Sequence, residues 1–314
     1  MAKHMASETV AAPRDAKGKR RARHFVIPVL IVLVGVLLLL YPVLSTNYNN
    51  MRQHQFAEQY STQSAKLSNA QQDAEIKRAQ EYNGRISGVP VLDPYLHQVS
   101  GDPESAPYRD YLSQLNLLDI MARVRVPAVG IDLPVRHDTS ADVLATGAGH
   151  LYGTSLPVGG KGTHAVLTSH TGLSTATLFD NLDQVKKGDV MYVDVYGHTL
   201  AYQVDQIKVV LPTELGDLKP VAGKDYLTLF TCTPYAVNTH RLLVRGHRIP
   251  YDPAADKSAQ AAAGGFHLQG WMWWLLGGAA AGITAASYMV WRTRKNGKAA
   301  THADGRAELH EAAS

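Results

Sequence analysis

The stretch TLFTCTPYAVNTHRLLVRG, residues 228–246, decides the fold class. Its first half is a run of β-favouring residues that ends at Cys232. Pro234 breaks the run, and a second apolar run begins at Arg241. Two such runs about a turn read as a β-hairpin, and a hairpin brings the Arg241 guanidinium beside the Cys232 thiol.

Short β-rich runs continue outward from this pair. Residues 122–129 read ARVRVPAV and residues 165–169 read AVLTS; further runs lie at 190–195, 199–204, 206–211 and 226–232. The Tyr196, Gly197, His198 triplet between two of them marks a tight connection. One helical patch is expected near 174–185. Many short strands separated by Gly and Pro over about 130 residues predict a mainly β fold, a closed or nearly closed barrel. GAGHLYG, residues 147–153, has the wrong spacing for a dinucleotide-binding loop and reads as a turn.

The chain has 314 residues, 45% of them hydrophobic, and one cysteine. That composition excludes wholesale disorder, collagen-like repetition and a disulfide scaffold. A formal charge of +4 first suggests nucleic acid or a membrane surface, and the placement of the charges decides. Residues 1–24 hold seven basic side chains against two acidic, and residues 292–314 hold five against three. The rest of the chain is net acidic, so no nucleic-acid partner is expected.

Each basic cluster abuts an apolar run. Residues 25–44 read FVIPVLIVLVGVLLLLYPVL, and at about 1.5 Å per residue they match the roughly 30 Å hydrocarbon layer. Residues 271–291 form a second run with Trp271, Trp273, Trp274, Tyr288 and Trp291 near its ends. The first run is longer than a signal-peptide core and has no prompt cleavage site, so it is expected to be retained. Basic flanks then place both tails in the cytoplasm, giving a two-pass cell-membrane protein with an extracellular middle. The expected order is a cytoplasmic basic tail (1–24), a transmembrane helix (25–44) and a helical stalk (45–87). A Pro-rich lid or loop region (88–120), the barrel (121–251) and a tether (252–270) follow. A second transmembrane helix (271–291) and a cytoplasmic tail (292–314) complete the chain.

The chemistry centres on the lone thiol. Cys232 at a strand end is accessible to a substrate, and a fixed Arg241 beside it is suited to hold a carbonyl and the oxyanion that develops on attack. His170 ends another β-run and offers the proton transfers that a thiol nucleophile needs. The bland alternatives are a buried inert cysteine and a structural histidine. His150, His164 and His240 have no spacing diagnostic of a metal site, and neither a metal nor an organic cofactor is expected.

The Cys232 to Arg241 stretch resembles the signature of sortases, the cell-wall transpeptidases of Gram-positive bacteria, and more narrowly the class C, pilus-assembling branch. Residues 131–135, 147–159 and 166–170 support the resemblance, which covers about 121–251. It implies a closed eight-stranded barrel with short helices, Cys232 as nucleophile, His170 as acid and base, and Arg241 as oxyanion or substrate stabiliser. It further implies that Asp93 and Tyr95, in an Asp-Pro-aromatic sequence, form a lid in which Asp93 faces Arg241 and Tyr95 covers Cys232. Asp102 and Pro103 offer a second anchor without an aromatic. The implied reaction is cleavage of an LPXTG-type sorting signal between Thr and Gly through a thioacyl enzyme. The implied partners are LPXTG-bearing pilins or surface proteins, a pilin lysine amine as acceptor, and the lipid bilayer. Competing readings are a housekeeping sortase using lipid II and a non-catalytic membrane-tethered scaffold. Two positions depart from the family pattern: Ala236 where Gly is frequent, and Thr171 where Arg is frequent.

Overall fold

A computed structural model describes residues 15–86, 91–96, 102, 104–263 and 269–311. Most of the basic tail at 1–24, the last residues of the C-terminal tail, and parts of the 88–120 and 252–270 segments lie outside the described residues. The chain divides into two units, Met1–Leu44 with Leu268–Ser314, and Ser45–His267.

In the larger unit the strands β1 (Ala122–Val126), β2 (Ile131–His137), β3 (Ala148–His150), β4 (Thr163–Thr168), β5 (Val190–Val195), β6 (His198–Val210), β7 (Asp225–Thr233) and β8 (His240–Ile249) close into one barrel. Their order around it is β1-β2-β3-β4-β7-β8-β6-β5. The expected closed eight-stranded barrel is therefore present. Alternate residues of each strand, such as Leu227 and Leu229 of β7 or Leu242 and Val244 of β8, point inward and build the main core. The opposite faces of β4, β7 and β8 carry Val166, Phe230 and Leu243. These form a second cluster with Leu151 and Leu218.

Local details differ from the sequence reading for identifiable reasons. The segments read as 199–204 and 206–211 are one strand, β6, whose pairing with β8 shifts register between Val204 and Gln206. Residues 148–150, expected to be a turn, form β3, because Gly149 has no Cβ to collide with the Asp138 carbonyl. The helical patch contracts to a short 3-10 turn at Asp180–Gln184. The hairpin at Tyr196 and Gly197 is a two-residue turn with φ of 43° and 78°, the left-handed pair that suits a twisted β-ribbon.

Helix α1 (Asp15–Ser64) runs from the basic tail through the apolar run and into the stalk. Helix α2 (Asn69–Arg85) follows, started by a capping box in which Ser68 and Gln71 satisfy each other's backbone. The stalk is not free-standing. The Tyr60 hydroxyl donates to the Met121 carbonyl at 2.9 Å, and Ala79 and Tyr82 join the main core. The Pro-rich segment also contains a helix, α3 (Ala106–Leu112), which buries Tyr108 and Tyr111, while α4 (Ala141–Thr146) leads into β3. The expected tether opens as helix α5 (Pro253–Ala263). Arg125 holds it by donating to both Asp256 oxygens at 2.6 and 2.9 Å.

In the smaller unit the second apolar run is helical, within α6 (Gly270–Glu311). Its glycines and alanines make this run less apolar than the run at 25–44. Among the described residues only Ile27–Ser64 is long and apolar enough to cross a membrane.

Candidate active site

Strand register sets Cys232 and Arg241 side by side, and the chain leaving β4 brings His170 to the same strap. β4 and β7 are parallel, with Thr168 beside Phe230, and His170 follows two residues past the end of β4 while Cys232 continues two residues further along β7. β7 and β8 are antiparallel, with Cys232 directly opposite Arg241. Because side chains alternate, Cys232 and Arg241 share the outward face of Phe230 and Leu243 rather than the barrel interior, and His170 reaches the same wall through its ring contact with Tyr95. Cys232 therefore lies on an outer wall of the barrel, one residue short of the end of β7, and not at the rim tip.

The segment 91–96 lies across that wall. Arg241 donates through Nε to Asp93 Oδ2 at 2.7 Å and through Nη2 to Asp93 Oδ1 at 3.3 Å, both side chains being buried. Its Nη1 donates to the carbonyls of Asn238 and His240, each at 2.9 Å. The guanidinium is thus committed to the strap and to its own turn. Asp93 Oδ1 also accepts from the Tyr95 backbone N–H at 2.8 Å, which fixes the bend at Pro94.

Tyr95 lies between His170 and Arg241. Its ring centre is 5.5 Å from that of His170 and 5.2 Å from the Arg241 Cζ, and it stacks on Phe230 at 5.9 Å. Its hydroxyl donates to the Ser169 carbonyl at 2.6 Å and accepts from Thr168 at 2.7 Å. The same Ser169 carbonyl accepts from the Thr231 hydroxyl at 2.7 Å, which in turn meets the Thr171 hydroxyl at 2.7 Å. Thr168, Thr171, Phe230 and Thr231 were not singled out as partners by sequence reasoning. The period-two pattern of 228–232 was the available signal for Phe230 as a neighbour of Cys232.

Electrostatics follow from this cover. Cys232 is only 6% exposed. Burial pushes its thiol up to about 11; Arg241 opposes the shift and the Asp93 carboxylate adds to it. Burial also holds His170 below its ordinary value. With the strap in place the pair rests as neutral thiol and neutral imidazole, which is an unreactive combination.

Beyond Cys232 the backbone enters the left-handed region at Ala236 (φ 62°) and Asn238 (φ 61°), so the Ala236 position does require the conformation that favours glycine. Gly172, φ 81°, packs against it; a Cβ there would stand 3.1 Å from the Ala236 nitrogen. His150 and His164 are structural. His150 is buried against Tyr111 and the Ser155 carbonyl, and His164 bonds Thr228 and the Lys219 carbonyl. Among the described residues no group of three or more His, Cys, Asp or Glu is placed to hold a metal ion.

Residues 124–249 match the Sortase domain family. Among solved structures, sortase C-1 from Actinomyces oris is 50% identical, with 57% of this chain and 99% of that one covered at a TM-score of 0.55. Sortase A from Corynebacterium diphtheriae is 48% identical, with 66% and 98% covered at 0.58. Sortase C from Streptococcus pneumoniae is 40% identical, with 63% and 97% covered at 0.57. Curated relatives include sortase A from Bacillus anthracis, 29% identical over 43% of this chain, and the match spans 62% of that relative's length. The chain belongs to the sortase family, in its class C branch.

Proposed function

We propose that the chain is a membrane-anchored cysteine transpeptidase that cleaves an LPXTG-type sorting signal between Thr and Gly and joins the released acyl group to a lysine amine of a pilin. The observation that carries this reading is the pairing of Cys232 with Arg241 across β7 and β8, with Asp93 held by Arg241 and Tyr95 lying against both His170 and Arg241.

The covered state is inactive on physical grounds, so strap 93–95 moves first. Withdrawing Asp93 and Tyr95 removes burial and a negative neighbour from Cys232 and leaves Arg241, so the thiol becomes more acidic. Its proton passes to His170 as the sulfur attacks the Thr carbonyl carbon. Arg241, released from Asp93, faces the oxygen on which negative charge develops. His170 then gives the proton to the departing Gly nitrogen. The thioester keeps the acyl group activated until a neutral amine attacks it, loses a proton and expels the Cys232 thiolate.

Anchoring by the apolar half of α1 is supported by its length and composition. For α6 we propose a second crossing with both tails cytoplasmic. Supporting it, Gly282 stands where a Cβ would contact Val36 at 3.4 Å and Val32 at 3.8 Å, and Gly278 faces Leu39 in the same way at 3.7 Å, a small-residue contact suited to paired membrane helices. Labelling of single cysteines placed in each tail, from outside intact cells and after lysis, tests that topology. Incubation with an LPXTG peptide and an amine acceptor tests the chemistry. Peptide joined to the amine is expected, and cleavage that persists in Cys232→Ala refutes it.

A further inference from the structure

The loop that leaves His170 is held from outside by the stalk. After β4 the chain runs from His170 to Phe179 and closes on itself, the Phe179 N–H donating to the His170 carbonyl at 3.1 Å. On one side Ala176 and Leu178 sink into the main core. On the other side the loop tip meets α1 just beyond the apolar run ending at Leu44. The Thr46 hydroxyl donates to the Ser174 carbonyl at 3.1 Å, and Asn49 Nδ2 donates to the Thr175 carbonyl at 2.8 Å. Asn50 Nδ2 donates to Thr177 Oγ1 at 2.8 Å, while Asn50 Oδ1 accepts from the Thr177 N–H at 3.0 Å.

Positions 46, 49 and 50 share one helix face. Each offers a polar group matched to one loop atom, and Asn50 reads both a donor and an acceptor of the same residue. Apolar contact would cover the loop equally well. Directional bonds instead fix its register, and register is what a group that transfers protons requires, since displacement by about 1 Å costs on the order of 10²-fold in rate.

We infer that Asn50, with Asn49 and Thr46, is a positioning residue for catalysis: the first turns of the stalk beyond the apolar run hold the 171–179 loop and through it His170. The inference rests on the transpeptidase reading above and adds that the barrel without this segment is an incomplete enzyme. Asn50→Asp is the conservative variant. Its carboxylate still accepts from the Thr177 N–H, and the Thr177 hydroxyl reverses to become the donor.

The test uses the full chain in detergent micelles, with steady-state cleavage of an LPXTG peptide, the pH profile of kcat, iodoacetamide alkylation of Cys232, and Tm. Cleavage by the unaltered chain tests the transpeptidase reading; the ratio of variant to unaltered chain tests this one. For Asn49→Ala with Asn50→Ala, kcat is expected to fall about tenfold or more with KM and Tm little changed. The acidic limb of the kcat profile is expected to move, alkylation of Cys232 to stay at its original rate, and Asn50→Asp to keep most of the activity. An unchanged kcat overturns the proposal. So does a loss of kcat that is matched by a fall in Tm and a rise in alkylation, because that pattern belongs to general loosening of the barrel.

Discussion

The Arg241 guanidinium, set opposite Cys232 by strand register, spends its Nε and Nη2 on the two carboxylate oxygens of Asp93. The cation best placed to assist the thiol is therefore neutralised by the same strap that buries it. Opening the strap would uncover the sulfur, acidify it and free the guanidinium in one movement.

Removing the strap charge should make the thiol reactive. Asp93→Ala takes away a neighbour that raises the Cys232 pKa and detaches the strap that buries it, and Arg241 then favours the thiolate. A fall of one to two units from about 11 raises the thiolate fraction at neutral pH by roughly 10- to 100-fold. Rates of iodoacetamide alkylation measured against pH check this, and an unmoved midpoint refutes it.

Arg241→Ala should separate reactivity from catalysis. Without its partner Asp93 is a buried, unpaired carboxylate, and the strap relieves that cost by swinging into water. Cys232 is then alkylated faster than in the unaltered protein, yet peptide cleavage is lost because nothing faces the oxyanion. A variant that is both slower to alkylate and unable to cleave contradicts this division of roles.

Backbone strain close to Cys232 gives a stability prediction. Ala236 occupies the left-handed region, where an L side chain costs about 1–2 kcal/mol, while glycine there loses roughly 0.5–1 kcal/mol to unfolded-chain entropy. Ala236→Gly is expected to raise stability by up to about 1 kcal/mol. Gly172→Ala adds strain and a Cβ at 3.1 Å from the Ala236 nitrogen, so it is expected to lower both stability and peptide cleavage. Urea midpoints of the two variants check the opposite signs.

His150 makes stability depend on pH. Complete burial lowers its folded-state pKa to about 4 from 6.5, so the fold favours the neutral ring. Its contribution is fully present above pH 6.5 and is lost as pH falls toward 4, by about 3 kcal/mol in total. Asp180 runs the other way. Burial raises its carboxyl to about 7, so its contribution is present at low pH and is lost as pH rises through 7. Comparing His150→Gln with the unaltered chain isolates the histidine: the variant is less stable at pH 7.5 and loses less on acidification to pH 5. Equal losses refute it.

The fold was legible where local pattern and tertiary structure agree. The alternation in 228–232 and 241–246 marks inward and outward faces directly, and it places Cys232 and Arg241 as neighbours through a hairpin. β2 was harder, because Pro134 argues against a strand. The barrel accepts it since the ladder to β3 begins one residue later, at Val135 and Ala148. Asp93 and Tyr95 were legible only through family resemblance, because an Asp-Pro-Tyr triplet carries no sign of which distant arginine it meets. Asn50 was not legible at all. A polar helix looks uniformly solvated in sequence, and its partner at Thr177 is fixed by the folding of the barrel rather than by anything near it in the chain.

Acylation of Cys232 is visible by intact-protein mass spectrometry during turnover of an LPXTG peptide. The expected adduct equals the peptide through its Thr, maps to Cys232, disappears on adding an amine acceptor and never forms in Cys232→Ala. Turnover without such an adduct, or an adduct mapped to any other residue, would contradict it.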